Sequence, residues 1–111
     1  MEIQLGKISY VSFGIGGYQD AQLGIHFSFD MKGSGVGDSR SYWDSEIISH
    51  TENCKWTEQD RTESYAEIMR FVSKLLNQAK VKSVDQLKGI PVEITFDNRM
   101  LKSWRILKEV I

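Results

Sequence analysis

The clearest hydrophobic pattern in the chain is an alternation across residues 23–30. Small or polar residues separate four apolar side chains that share one side, Leu23, Ile25, Phe27 and Phe29. A period of two is typical of a β-strand with one buried face. A second run, residues 8–13, carries apolar side chains on both faces. We expect the two runs to pair as an antiparallel hairpin across a loop at residues 14–20.

The second strong pattern predicts an amphipathic helix that begins after Thr57. Threonine is a good N-cap residue, and Glu58 and Asp60 place negative charge at the positive end of the helix dipole. Apolar residues then recur at helical spacing over about six turns, and they are Tyr65, Ile68, Met69, Val72, Leu75, Leu76 and Ala79. This stripe predicts that one face of the helix packs against a sheet.

Weaker patterns complete the predicted elements. Residues 41–48 are interpreted as a third strand, and residues 83–89 as one helical turn that ends at a glycine. Two further strands at 91–96 and 101–107 flank a turn at 97–99.

The predicted element order is β-β-(β)-α-β-β. It indicates an α+β fold in which a mostly antiparallel sheet carries one long amphipathic helix on one face. The 111 residues fit a single domain, residues 1–111. No apolar run approaches the roughly 20 residues of a membrane span, and a single cysteine favours a reducing compartment. We therefore expect a cytoplasmic protein.

Glycines cluster in the first third of the chain. Seven of the nine fall between Gly14 and Gly37, and we interpret most of them as two loops, residues 14–20 and 33–40. Neither loop has the Lys-Ser/Thr of a P-loop or the directly following helix of a dinucleotide fingerprint. Two interpretations stay open: the glycines serve loop and bulge geometry, or their exposed amides belong to a binding surface.

Aromatic rings and one arginine lie in or beside these glycine segments. Such side chains stack on bases or anchor protein interfaces. The alternative is that Trp43 and Trp56 close the ends of a small core. The predicted binding residues are Gly16, Gly17, Tyr18, Gln19, Asp20, Gly35, Gly37, Arg40, Tyr42, Trp43 and Trp56.

The last predicted strand has an apolar face and charged residues beside it. Trp104 and Ile106 share the apolar face and are assigned to the core, and the charged residues are interpreted as solvated. Three cations on or beside that strand form a basic edge that discourages strand addition, and they are Lys102, Arg105 and Lys108. Four carboxylates near the glycine segments are interpreted as solvated rather than catalytic, and they are Asp20, Asp38, Asp44 and Glu46.

The sequence contains no pattern typical of a catalytic or metal site. His26, His50 and Cys54 are the candidate zinc ligands, but a zinc site takes four. His26 is interpreted as a polar surface group on the far face of its strand. No serine lies in a nucleophile-elbow pattern, and Cys54 has no activating partner in the sequence. We therefore predict a protein that is not an enzyme and needs no metal or cofactor.

Five segments together resemble a family of small phage and prophage proteins. They span most of the chain: GIGGYQDA at 14–21, the glycine-rich 33–37 with Trp43, CKWT at 54–57, DQLKGIPVE at 85–93 and LKSWRIL at 101–107. The resemblance implies a phage origin and a location in the bacterial host cell, and it brings no activity or functional residues with it. Arg40, Ser41 and Tyr42 stand before Trp43 where we expect family members to vary.

Small phage accessory proteins commonly act by stoichiometric binding, so by analogy the resemblance implies an anti-defence protein. In the sharper form it sequesters a nucleotide-type immune signal: loop amides and Arg40 hold phosphate, and Tyr18, Trp43 or Trp56 stacks on the base. We expect a homo-oligomer, because one small domain offers little concave surface. The alternatives are a direct inhibitor of a host defence protein and a nucleic-acid-binding accessory protein, which the net charge of -1 disfavours.

Overall fold

A computed structural model of the protein describes residues 1–43 and 57–111. The elements in chain order are β1 (Glu2–Gly16), β2 (Gln22–Met31), β3 (Ser34–Trp43), α1 (Glu58–Ala79), β4 (Pro91–Asp97) and β5 (Met100–Ile106). Every strand pair is antiparallel, and the strand order in the sheet is β3-β2-β1-β4-β5. The predicted α+β fold, a long helix packed on an antiparallel sheet, is confirmed.

Strand β1 is the centre of the sheet and has 15 residues. It pairs with β4 from Glu2 to Lys7 and with β2 from Gly6 to Gly16. A bulge between Ile8 and Tyr10 shifts the alternation by one residue, so that Ile8 and then Val11 point to the helix side. The apolar pattern on both faces of residues 8–13 therefore has its origin in this bulge.

The alternation predicted in residues 23–30 is confirmed by β2. Ile25, Phe27 and Phe29 are buried under the helix. The antiparallel hairpin with β1 is also confirmed, but its connection is shorter than predicted. Gly16 already pairs with Gln22, so the loop covers residues 17–21 and the residues before it are strand.

The interpretation of residues 33–40 as a loop is wrong. Strand β3 begins at Ser34 rather than at residue 41, and it pairs with β2 along its whole length. Lys32 and Gly33 form a two-residue turn, in which Gly33 has a φ of +80°. Short turns that contain glycine are typical of hairpins. The part of the predicted third strand beyond Trp43 lies outside the described residues.

Alternation within β3 explains why a glycine-rich segment forms a strand. Its longer side chains share the helix side and are Val36, Asp38, Arg40 and Tyr42, opposite the apolar residues of β2. Gly35 and Gly37 lie on the outer face, where a Cβ atom would stand 3.2 Å from the carbonyl oxygens of Phe29 and Phe27. Glycine therefore relieves a close backbone approach here.

Helix α1 begins where the sequence predicts. Thr57 Oγ1 accepts from the Asp60 N–H at 3.1 Å, and the Asp60 carboxylate accepts from the Thr57 N–H at 2.9 Å. The buried face is rotated slightly from the predicted stripe: Met69 is 62% exposed, whereas Phe71 packs against the core. No helix in the described part of the chain is long and apolar enough to cross a membrane.

The capping box gives a test of the helix start. Thr57→Ala removes the hydroxyl acceptor and leaves the Asp60 N–H unpaired, so we expect a loss of about 1 kcal/mol in the free energy of unfolding. Urea denaturation followed by circular dichroism measures it. Thr62→Ala, one turn into the same helix, is the matched control and should be neutral or slightly stabilising. Equal losses in the two variants would contradict the cap.

The remaining predicted elements are also present. The helical turn expected at 83–89 is a 3₁₀ turn, Val84–Leu87, with Ser83 at its N-cap position and Gly89 at a φ of +90°. Strands β4 and β5 form the predicted hairpin, joined by Asn98 and Arg99.

The sheet curls until its two edges approach each other on the helix side. Trp104 of β5 packs against Phe27 and Phe29 of β2, with ring centroids 5.0 and 4.8 Å apart. Its indole N–H donates to Asp38 Oδ2 on the opposite edge strand, β3, at 2.8 Å. Ile106, on the same face, is buried, so the predicted core role of this strand face is confirmed. The curl leaves a groove between β3, α1 and β5.

Candidate functional site

The groove between β3, α1 and β5 has a volume of about 530 Å³. This lies within the usual range for small-molecule sites, about 300–1,000 Å³. Apolar side chains from α1 and β5 contribute to its lining: Phe71, Leu75, Trp104 and Ile106. The groove therefore combines a suitable size with aromatic surface.

Positive charge dominates the lining of this groove. Five cationic and two acidic residues line the groove, so cationic residues are in excess. The cations are Arg40, Arg70, Lys74, Lys102 and Arg105, and the carboxylates are Asp38 and Glu67. The whole chain has a net charge of -1, so this excess is local. Local concentration of one sign of charge in a concave site attracts ligands of the opposite sign.

Arg40 is held in place from two sides. Its guanidinium donates to Glu67 Oε1 at 2.9 Å and lies over the Phe71 ring, 4.5 Å from the centroid. The Tyr42 hydroxyl donates to the other oxygen of Glu67 at 2.8 Å, and this hydrogen bond raises the pKa of Tyr42 above its ordinary value. Arg40 and Glu67 are both about half exposed, so their ion pair positions Arg40 but stabilises the fold little.

Arg105 is also balanced by acidic neighbours. It donates to Glu93 at 3.2 Å and to Glu109 at 2.8 Å. Hydrogen bonds to Glu109 and Glu93 raise the pKa of Arg105 above its ordinary value, and Arg105 in turn lowers the pKa of Glu109 to about 2. The charge of Arg105 is therefore already compensated within this cluster.

Three groove cations remain without an acidic partner among residues 1–43 and 57–111. The side chains of Arg70 and Lys74 form no hydrogen bond or ion pair within these residues. The Lys102 side chain contacts only the sulfur of Met1, at 3.7 Å. Arg70 and Lys74 stand four residues apart on α1, a spacing at which like charges destabilise a helix by about 0.2–0.5 kcal/mol. An anionic ligand in the groove would relieve this repulsion.

The predicted binding residues do not form one cluster. Arg40 lines the groove, and Tyr42 is joined to it through Glu67. Residues 16–20 lie at the end of β1 and in the β1–β2 turn, and Trp43 lies across β2 from them, because Gly16 and Trp43 pair with Gln22 from opposite sides.

The remaining predicted residues lie elsewhere. Gly35 and Gly37 are in the other half of β3, and the strand rise separates Gly35 from Trp43 by roughly 27 Å. We predicted that a loop at residues 33–40 offers its backbone amides to phosphate. This prediction is wrong, because residues 34–40 belong to strand β3. Trp56 lies outside the described residues.

His26 is buried rather than a surface group, with 9% of its surface exposed. Its Nε2 lies 3.2 Å from the Gly14 carbonyl oxygen, which can only accept, so Nε2 carries the proton. Its Nδ1 forms a hydrogen bond with the Ser39 hydroxyl at 2.9 Å. Through both nitrogens the ring joins β1, β2 and β3.

The other candidate zinc ligands, His50 and Cys54, lie outside the described residues. Within the described ranges, no group of three or more His, Cys, Asp or Glu side chains could hold a metal ion.

Sequence reasoning missed the principal cations of the site. Arg70 and Lys74 occupy the polar flank of α1, and their spacing of four was the available signal. Lys102 and Arg105 were interpreted as a solvated edge, and Asp38 as a solvated loop acid. The curl of the sheet brings all five to one groove, and no local pattern contains that information.

No protein-family model matches the chain, and neither does any curated protein or solved structure. The resemblance to small phage and prophage proteins stays a prediction. The function is therefore argued from the groove itself.

Proposed function

We propose that the protein binds one small phosphate-bearing ligand of nucleotide size in the groove between β3, α1 and β5. It acts by stoichiometric binding rather than by catalysis. The observation that carries the proposal is the cluster of Arg70, Lys74 and Lys102, whose charges no described acidic side chain balances.

The chemistry of the lining supports a nucleotide over a simple anion. Arginine and lysine hold phosphate through charge-assisted hydrogen bonds. Trp104 and the guanidinium of Arg40 offer flat surfaces on which a base can stack. A volume of about 530 Å³ suits one such ligand rather than a long polymer.

Binding without turnover is supported by the state of the groove carboxylates. Glu67 accepts from Arg40 and Tyr42, and Asp38 accepts from Trp104. Both acids therefore hold neighbouring side chains in place, a role that suits a preformed binding site.

The biological setting belongs to the same proposal. In the cytoplasm of a bacterial host, a phage-encoded protein of this kind would sequester a nucleotide-type immune signal and so counter host defence. Only the ligand class is supported by the groove, and the setting rests on the sequence resemblance. The described residues that line the groove come from one chain, and the predicted homo-oligomer is a separate proposal. Light scattering in solution tests that separate prediction.

Isothermal titration calorimetry tests the binding proposal directly. The panel consists of cyclic oligonucleotides and cyclic ADP-ribose isomers, each titrated into the protein at low and high salt. We expect saturable binding near one ligand per chain, weakened by salt because ionic contacts dominate. Absence of heat for every member of the panel at low salt would refute the proposal.

Direct inhibition of a host defence protein is a second candidate. Three apolar side chains on the outer face of β1 are more than half exposed, and they are Ile3, Leu5 and Tyr10. Such rows are typical of protein interfaces. Under this alternative, Leu5→Asp abolishes binding to the purified effector and leaves groove binding intact. Nucleic-acid binding stays a prediction, tested by the salt dependence of DNA affinity.

A further inference from the structure

We infer that the ligand has two chemically different ends, one anionic and one that donates hydrogen bonds. This inference rests on the proposed function. Its phosphate lies against the α1–β5 wall of the groove, and a nucleobase that carries an amino group donates hydrogen bonds to Asp38 on the β3 wall. The ligand class is thereby narrowed to nucleotides of guanine, adenine or cytosine.

The first support is the distribution of uncompensated charge. The cations without acidic partners among the described residues, Arg70, Lys74 and Lys102, belong to α1 and β5. On the β3 side, the positive charge of Arg40 is matched by Glu67. The described hydrogen-bond partner of Asp38 is an uncharged indole, so no described cation pairs with its carboxylate. The groove therefore has a basic wall formed by α1 and β5, and the carboxylate of Asp38 lies on the β3 wall.

The second support is the geometry of Asp38. Its Oδ2 accepts from the Trp104 indole N–H at 2.8 Å, which fixes the carboxylate, and Oδ1 has no hydrogen-bond partner in the described part of the chain. An ionised carboxylate can only accept hydrogen bonds. Asp38 therefore repels phosphate and selects a group that donates.

The third support is the flat surface beside that carboxylate. The indole of Trp104 packs against the rings of Phe27 and Phe29, and Trp104 remains part of the groove lining. A base that stacks at this position can direct an N–H edge to Asp38 Oδ1. Guanine, adenine and cytosine present amino groups there. Uracil presents one N–H between two carbonyl oxygens, which the carboxylate repels.

Three probes share a triphosphate and differ in the rest of the molecule: GTP, UTP and inorganic triphosphate. Comparing their affinities distinguishes the contribution of the base from that of the phosphate. We expect wild-type protein to bind GTP about tenfold more tightly than either of the others, the size of one hydrogen bond to a charged group. Asp38→Asn should reduce GTP affinity about tenfold. The same variant should bind inorganic triphosphate equally well or more tightly, because a like charge has been removed. Asp85→Asn, an exposed acid outside the groove, is the matched control and should change neither affinity.

The wild-type comparison of the three probes stands even if a variant folds poorly. Equal affinity for all three overturns the inference and leaves anion binding in the groove intact. Tighter binding of UTP than of GTP also overturns it. If none of the three binds, the inference fails, whereas the cyclic-nucleotide panel still decides the proposed function independently.

Discussion

Leu75→Asp unfolds the protein. Leu75 is 5% exposed and belongs to the core cluster between α1 and the sheet. The substitution deletes an apolar side chain and buries a carboxylate without a partner, so the expected loss exceeds about 4 kcal/mol. A small domain has a total stability of about 5–15 kcal/mol, and a loss of this size removes much of it. Thermal melting by circular dichroism measures the outcome.

Met69→Asp on the same helix is the matched control. The sequence pattern places Met69 in the buried stripe, but its side chain is 62% exposed in the structure. We therefore expect Met69→Asp to retain a cooperative melting transition. A soluble Leu75→Asp variant that melts cooperatively would rule out the packing of α1 on the sheet, and an unfolded Met69→Asp variant would contradict the observed helix orientation.

Neutralising the two groove cations of α1 should strongly weaken ligand binding and leave the fold intact. In Arg70→Gln/Lys74→Gln, two charge-assisted contacts to phosphate are lost. At about 1.5–3 kcal/mol each, their loss corresponds to an affinity reduction of at least roughly a hundredfold. Calorimetry with whichever member of the cyclic-nucleotide panel binds wild-type protein measures this loss.

The same double variant should be slightly more stable than wild type without ligand. The repulsion between Arg70 and Lys74 disappears, which is worth a few tenths of a kcal/mol. A substitution that weakens ligand binding but raises the free energy of unfolding is typical of residues that serve function. Lys82→Gln/Lys88→Gln, at two exposed lysines outside the groove, is the matched control and should keep wild-type affinity. A double groove variant with wild-type affinity would contradict the binding site.

Local patterns predicted the elements whose stability is local. The helix start follows from the Thr57–Asp60 capping box, because both partners are three residues apart. The alternation of β2 follows from one buried face, and the β4–β5 turn from Asp97 and Asn98, of which Asn98 tolerates the positive φ that it adopts. In each case the relevant contacts lie within a few residues or on one repeated face.

The glycine-rich segment shows where local reasoning fails. Glycines at 33, 35 and 37 are typical of a loop, yet two of them lie within β3. Pairing with β2 decides this, because the carbonyl oxygens of Phe27 and Phe29 approach the Gly37 and Gly35 positions closely. His26 is misassigned for a related reason, since its hydrogen-bond partners come from two neighbouring strands.

The sequence by itself therefore determined the α+β class, the helix, most of the strands and the face of β2 that is buried. Only the tertiary structure decided the bulge in β1, the rotation of α1 that packs Phe71 against the core and exposes Met69, and the site. Asp38, Lys74 and Trp104 are far apart in the chain, and they meet because a twisted sheet curls until its edges face the same helix. Periodicity records which side of an element is apolar, whereas the meeting of two edges depends on pairings between distant strands.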